Sequence, residues 1–152
     1  MITTPYKYLV FACTLIIVAA NANARKIPHE TKELTTLEQN LIESFRIHFP
    51  QKVNDQLTWV RISKSGGGIL MEGQLSWKKS ELNNIYKNAG VPPGKIPMAV
   101  QRDKDNTISV TNMQLCNFEA VKKYNAMGGV MKVAFNTADA HEFASLTVSC
   151  TE

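Results

Sequence analysis

Cysteine and histidine are scarce, with three of each in 152 residues and neither in a Cys-x-x-Cys or His-x-x-x-His spacing. A zinc site encoded in one short segment and a thioredoxin-like redox pair are therefore excluded. Charge of one sign is also lacking: 17 Lys and Arg against 13 Asp and Glu, spread along the chain, is too small a surplus for a nucleic-acid-binding surface. No apolar run reaches the roughly 20 residues of a bilayer-spanning helix; the longest, Leu9 to Ala20, has 12. Gly-x-Ser-x-Gly is missing, so no nucleophile elbow is encoded. Gly66-Gly67-Gly68 precedes a strand-like run rather than a helix carrying Lys-Ser/Thr, so it reads as a hairpin turn and not as a phosphate cradle. No asparagine beyond residue 24 stands in an Asn-x-Ser/Thr sequon, which fits a bacterial chain. What is present, 44% hydrophobic and 8% aromatic residues in 16.9 kDa, suffices for one globular domain.

Met1 to Ala24 carries one cation, Lys7, then LVFACTLIIVAA, then Ala20-Asn21-Ala22-Asn23-Ala24. This is the order of a secretory signal, with cleavage expected after Ala24 and Ala22 as the overlapping register. Cys13 lies inside the apolar run, which Thr14 to Val18 continue, so it reads as part of the signal rather than as a lipidation site. The expected plan is a cleaved signal over 1–24, a polar lead-in over 25–34 and a single domain over 35–152. The mature chain has 152 − 24 = 128 residues and a formal charge of 16 − 13 = +3. Its destination is the periplasm or, beyond the outer membrane, the medium.

Two cysteines survive cleavage, Cys116 and Cys150, with 33 residues between them. An even count in an exported chain points to a disulfide. Closing that loop stabilises a fold by roughly 3–4 kcal/mol in the chain-entropy account.

Thr35-Thr36-Leu37-Glu38 has the form of a capping box, and Leu34, Leu37, Leu41, Phe45 and Phe49 make one apolar stripe before Pro50. A helix is expected over about 36–49. Leu57 to Ile62 and Ile69 to Trp77 form a hairpin, the second run placing Ile69, Met71, Leu75 and Trp77 on one face. Lys78 to Ala89 reads as a short helix stopped by Gly90. Val91 to Pro97 holds three of the six prolines and reads as a constrained loop. Met98 to Arg102 and Ile108 to Met113, around Asp103-Lys104-Asp105-Asn106, read as a second hairpin. Asn117 to Met127 is a third helix, and Val130–Phe135 with Phe143–Val148 a closing hairpin. The fold class is α+β: an antiparallel sheet of hairpins packed with about three short helices and stapled by one disulfide.

The succession of Leu57 to Trp77, then Leu115-Cys116 opening a helix, then Val130–Phe135, a turn and Phe143–Cys150 resembles small exported periplasmic proteins of bacteria. The resemblance implies compartment and fold and brings no activity, cofactor or site residue with it.

Candidate chemistry is sparse. His29, His48 and His141 have no ligand spacing, so no metal site is assigned, and no cofactor is implied. His48 reads as a cation at the carbonyl end of the first helix. Asp139 and His141, two residues apart in an expected turn, are the base and orienting carboxylate of an alternative reading, a small exported hydrolase using them or an unidentified serine. Lys78-Lys79 and Lys122-Lys123 are ordinary solvated pairs, with an acidic partner or anionic lipid as the other reading. Trp77 is expected in the core. The leading reading is a non-enzymatic protein-binding module of the envelope or secretome, whether accessory, inhibitory or immunity-like. Trp59, Lys64, Gly67, Pro92 and Pro93 are its candidate contacts, on the hairpin and Pro-rich loop surface.

Overall fold

A computed structural model describes residues 30–150 of the chain. The expected signal over 1–24 and residues 25–29 of the lead-in lie outside the described residues. The protein is α+β, and its described residues form four α-helices on a five-stranded sheet. Helix α1 spans Glu30–Arg46, strands β1 Gln51–Lys52, β2 Leu57–Ser65 and β3 Gly68–Leu75, helices α2 Leu82–Asn88, α3 Ile96–Leu115 and α4 Glu119–Ala126, and strands β4 Met131–Asn136 and β5 Glu142–Thr147.

The sheet order is β1-β2-β3-β4-β5, antiparallel except at β3–β4. Because α2, α3 and α4 intervene between β3 and β4, the chain returns in the same direction and that pair is parallel. The β2–β3 turn uses Gly66 (φ 56°) and Gly67 (φ 83°) between the paired Ser65 and Gly68, a two-residue loop that demands left-handed backbone twice. One face of the sheet carries the core: Leu57, Trp59, Ile69, Met71, Val133 and Phe135 bury against Leu41, Ile42 and Phe45 of α1 and Val121 and Tyr124 of α4. The alternate residues Glu72, Gln74, Lys132 and Ser145 lie on the opposite, more exposed face.

The structure departs from the expected elements in two places. The middle hairpin does not exist: residues 96–115 form the 20-residue helix α3, entered through a 3-10 turn over Pro93–Lys95 with Pro97 in its first turn. Its buried positions Ile96, Ala99, Thr107, Thr111 and Leu115 follow helical spacing, but two are threonines, while Met98 and Met113 face outward, so the apolar period is blurred. Nor is there a capping box at Thr35 and Glu38. The first helix begins at Glu30, within the expected lead-in, and ends at Arg46, short of Phe49. Glu38 is instead buried mid-helix, where its carboxylate accepts from the Tyr124 hydroxyl at 2.9 Å and pairs with Lys64 Nζ at 2.7 Å. One carboxylate thus ties α1 to α4 and β2. Burial pushes the Glu38 pKa up, but the hydrogen bonds from Lys64 and Tyr124 and the ammonium charge outweigh it, and the net shift is down.

The Cys116–Cys150 disulfide is formed, with a Cα–Cα distance of 5.4 Å. Cys116 closes α3 and Cys150 follows β5. Residues 148–150 run between two asparagines that act as surrogate strand partners. Asn125 donates to the Val148 carbonyl at 3.1 Å and accepts from the Cys150 amide at 2.9 Å, and Asn112 grips Ser149 in the same manner.

Candidate functional site

Where β3 ends, the Ser76 amide bonds to the Gln56 carbonyl and Trp77 turns back over the sheet, its own carbonyl accepting from Ala138. Glu81 receives the Lys78 amide at 2.6 Å and starts the turn into α2. Gly90 (φ 80°) ends that helix with paired bonds, Gly90 N–H to Lys87 and Val91 N–H to Tyr86, the geometry that requires left-handed backbone just past a helix. Held at both ends, α2 leans on α3 through a small second core of Tyr86, Ile96 and Ala99.

Between this lobe and the sheet lies an apolar cleft, its walls formed by Trp77, Leu82, Ile85 and Phe143 and its floor by Leu75 and Phe135. Trp77 and Phe143 meet edge to face, centroids 5.1 Å apart, and the Lys104 ammonium sits 5.4 Å over the Phe143 ring. Asn54, Gln56, Asp103 and Thr107 add polar groups to this lining. The Tyr86 hydroxyl donates to Asp103 Oδ2 at 2.7 Å, Arg102 Nε approaches Oδ1 at 3.6 Å, and the Thr107 hydroxyl donates to the Asp103 carbonyl at 2.7 Å. The enclosed space is only about 30 Å³. This holds little more than a water, so an incoming side chain has to widen the cleft.

The expected contact residues do not gather at this cleft. Trp59 is 3% exposed and stacks against Phe135 at 5.4 Å, so it is a core residue and is removed from the candidate surface. The alternation of β2 points it inward with Leu57. Lys64 is exposed but its ammonium is engaged by Glu38. Gly67 sits at the tip of the β2–β3 turn, and Pro92 and Pro93 are exposed before α3. Trp77, expected in the core, is half-buried, packing on the core and lining the cleft. Leu82 and Ile85 lie on the helix expected over 78–89, but Asp103 comes beside them only because residues 96–115 are helix α3 and not a hairpin.

Asp139 and His141 stand together, Nδ1 to Oδ2 at 3.3 Å. The Asp139 carboxylate, however, is committed to the turn. It takes the Thr137 hydroxyl at 2.6 Å and the Lys79 amide at 2.9 Å, and these bonds, led by Thr137, hold its pKa down at about 2. No hydroxyl or thiol hydrogen-bonds to the imidazole among the described residues. Nor do these residues contain a group of three or more His, Cys, Asp or Glu side chains placed to hold a metal.

No protein-family model and no curated protein sequence matches the chain. Its fold is nonetheless shared by solved structures. The type 2 secretion system pilotin EpsS from Vibrio vulnificus superposes with a TM-score of 0.55 at 13% identity, covering 81% of this chain and 96% of that one. The type II secretion system pilotin AspS from Vibrio cholerae gives 0.53 at 12% identity, over 79% and 92% of the two chains. A Pseudomonas aeruginosa protein classed as secreted gives 0.54 at 11%, over 80% and 94%. At these identities the likeness is one of fold.

Proposed function

We propose that the chain is an exported, non-catalytic protein-binding domain that serves as an accessory factor of an envelope secretion assembly. The observation that carries this reading is the cleft between α2, α3 and the sheet: an aromatic pair and aliphatic side chains, joined by Asn54, Gln56, Thr107 and the hydrogen-bonded Tyr86–Asp103 pair. Such a lining suits an apolar anchor from a protein partner rather than a polar small substrate. The pilotin fold of the two Vibrio structures supports the assignment to a secretion assembly, and the signal-like Met1 to Ala24 supports export.

The test is capture of envelope components by the tagged mature protein and by Trp77→Ala, Ile85→Ala and His141→Ala. A component of a secretion assembly, retained by His141→Ala and lost with the two cleft variants, is the expected result. Equal capture by all four proteins overturns the cleft. Hydrolase turnover that vanishes with His141→Ala, its fold intact, overturns the non-catalytic reading.

A further inference from the structure

Charge in this protein is segregated. Residues 76–104 hold Lys78, Lys79, Lys87, Lys95, Arg102 and Lys104 against Glu81 and Asp103, 6 − 2 = +4. The other described residues hold eight cations against ten acids, 8 − 10 = −2. Asp139, whose carboxylate accepts from the Lys79 amide, adjoins this lobe, which forms one side of the cleft; with it counted the lobe holds 6 − 3 = +3, against 14 − 12 = +2 for all the described residues. Among the described residues, Arg102 is the only one of the lobe's six cations that is ion-paired, whereas five of the eight cations elsewhere, Lys52, Arg61, Lys64, Lys122 and Lys123, have carboxylate partners. Both lobe acids are occupied, Glu81 by the Lys78 amide and Asp103 by the Tyr86 hydroxyl. Cations and cleft are contiguous: Lys78 and Lys79 follow Trp77 directly, and Lys104 lies over Phe143, the ring that Trp77 meets.

We infer that this lobe docks an acidic segment of the partner protein, its apolar side chains entering beside Trp77 and Phe143 while its carboxylates meet Lys78, Lys79 and Lys104. The inference rests on the binding reading above and names the chemistry of the partner. Unpaired ammonium groups around an apolar cleft raise encounter rate and select against basic segments, while the cleft supplies the buried area.

The probes are fluorescent peptides composed of leucine and glutamate, of leucine and lysine, and of serine and glutamate, together with phosphatidylcholine vesicles with and without phosphatidylglycerol. The variants are Lys78→Glu/Lys79→Glu, both exposed, Lys104→Glu, and a charge-matched control, Arg46→Glu/Lys132→Glu, away from the lobe. The leucine–glutamate peptide is expected to bind at least about tenfold more tightly than the other two, and the Lys78/Lys79 reversal to weaken it about tenfold while the control leaves it within about twofold. Equal binding of the leucine–lysine peptide, or equal effects of the two double reversals, overturns the inference. Lobe-dependent binding to phosphatidylglycerol vesicles with no peptide preference assigns the lysines to lipid headgroups and overturns it too. If Trp77→Ala abolishes envelope capture but the Lys78/Lys79 reversal does not, the binding reading stands and the charge inference falls. If neither variant matters, both fall.

Discussion

Asn112 holds Ser149 at two points: its Nδ2 donates to the Ser149 carbonyl at 3.0 Å and its Oδ1 accepts from the Ser149 amide at 2.9 Å. A side-chain amide thereby supplies what a neighbouring strand would, and Asn125 repeats the device one residue to either side. Asn112→Ala is expected to cost about 1 kcal/mol and Asn125→Ala, at a less exposed site, about 1–2 kcal/mol. Both act on residues 148–150, so the double variant departs from additivity. Urea denaturation of the three proteins measures this.

The disulfide closes a separation of 34 residues around that same segment. Cys116→Ser or Cys150→Ser removes roughly 4 kcal/mol of chain-entropy stabilisation. Thermal melting is expected to fall by roughly 10–20 °C, and mass measurement of the unreduced protein should give no free thiols.

Glu38 and Tyr124 make stability depend on pH at both ends. The Glu38 pKa is lowered on folding, so its contribution is complete above the ordinary value of 4.5 and is lost as pH falls through the folded value. The Tyr124 pKa is raised, burial first and the Glu38 bond second, so its contribution is complete below the ordinary value of 10 and is lost as pH rises past the folded one. Glu38→Gln should flatten the acid slope of the urea midpoint. Tyr124→Phe should flatten the alkaline slope and cost about 1–3 kcal/mol near neutrality, since the buried carboxylate loses a donor.

Gly67 and Gly68 are adjacent but differ in kind. A Cβ at Gly67 meets nothing within 4 Å, and its cost is the φ of 83°. A Cβ at Gly68 collides with the Val130 carbonyl, which is fixed by accepting from Ile69 at 2.8 Å. Gly67→Ala is expected to lower stability by about 1 kcal/mol and Gly68→Ala by about 2–3 kcal/mol, read by denaturant titration.

The α+β class, both surviving hairpins and the Cys116–Cys150 bridge are legible in the chain, because strict alternation over Ile69–Leu75 and a lone cysteine pair leave few other arrangements. Helix α3 is not. Thr107 and Thr111 lie on its buried face, and Asp103 to Asn106 has turn composition, although Asp103 serves as acceptor for Tyr86 and Asp105 pairs with Gln101 one turn back. Glu38 misleads for a related reason: sequence spacing shows a cap, whereas the carboxylate is claimed by Tyr124, 86 residues away. The cleft stays hidden because it pairs Trp77 with Phe143 and Tyr86 with Asp103, contacts that follow only from the tertiary arrangement.

The parallel β3–β4 junction sets the order in which this chain becomes a protein. Met71 pairs with Val133, 133 − 71 = 62 residues later, so a chain emerging from a ribosome carries the first hairpin with the edge of β3 unpaired until the last strands arrive. Non-local pairing of this kind is slow and gains nothing until it is nearly complete. Truncation before Met131 should therefore leave an aggregation-prone fragment and no folded remnant, and synthesis alone cannot complete the sheet before the C-terminal hairpin is free.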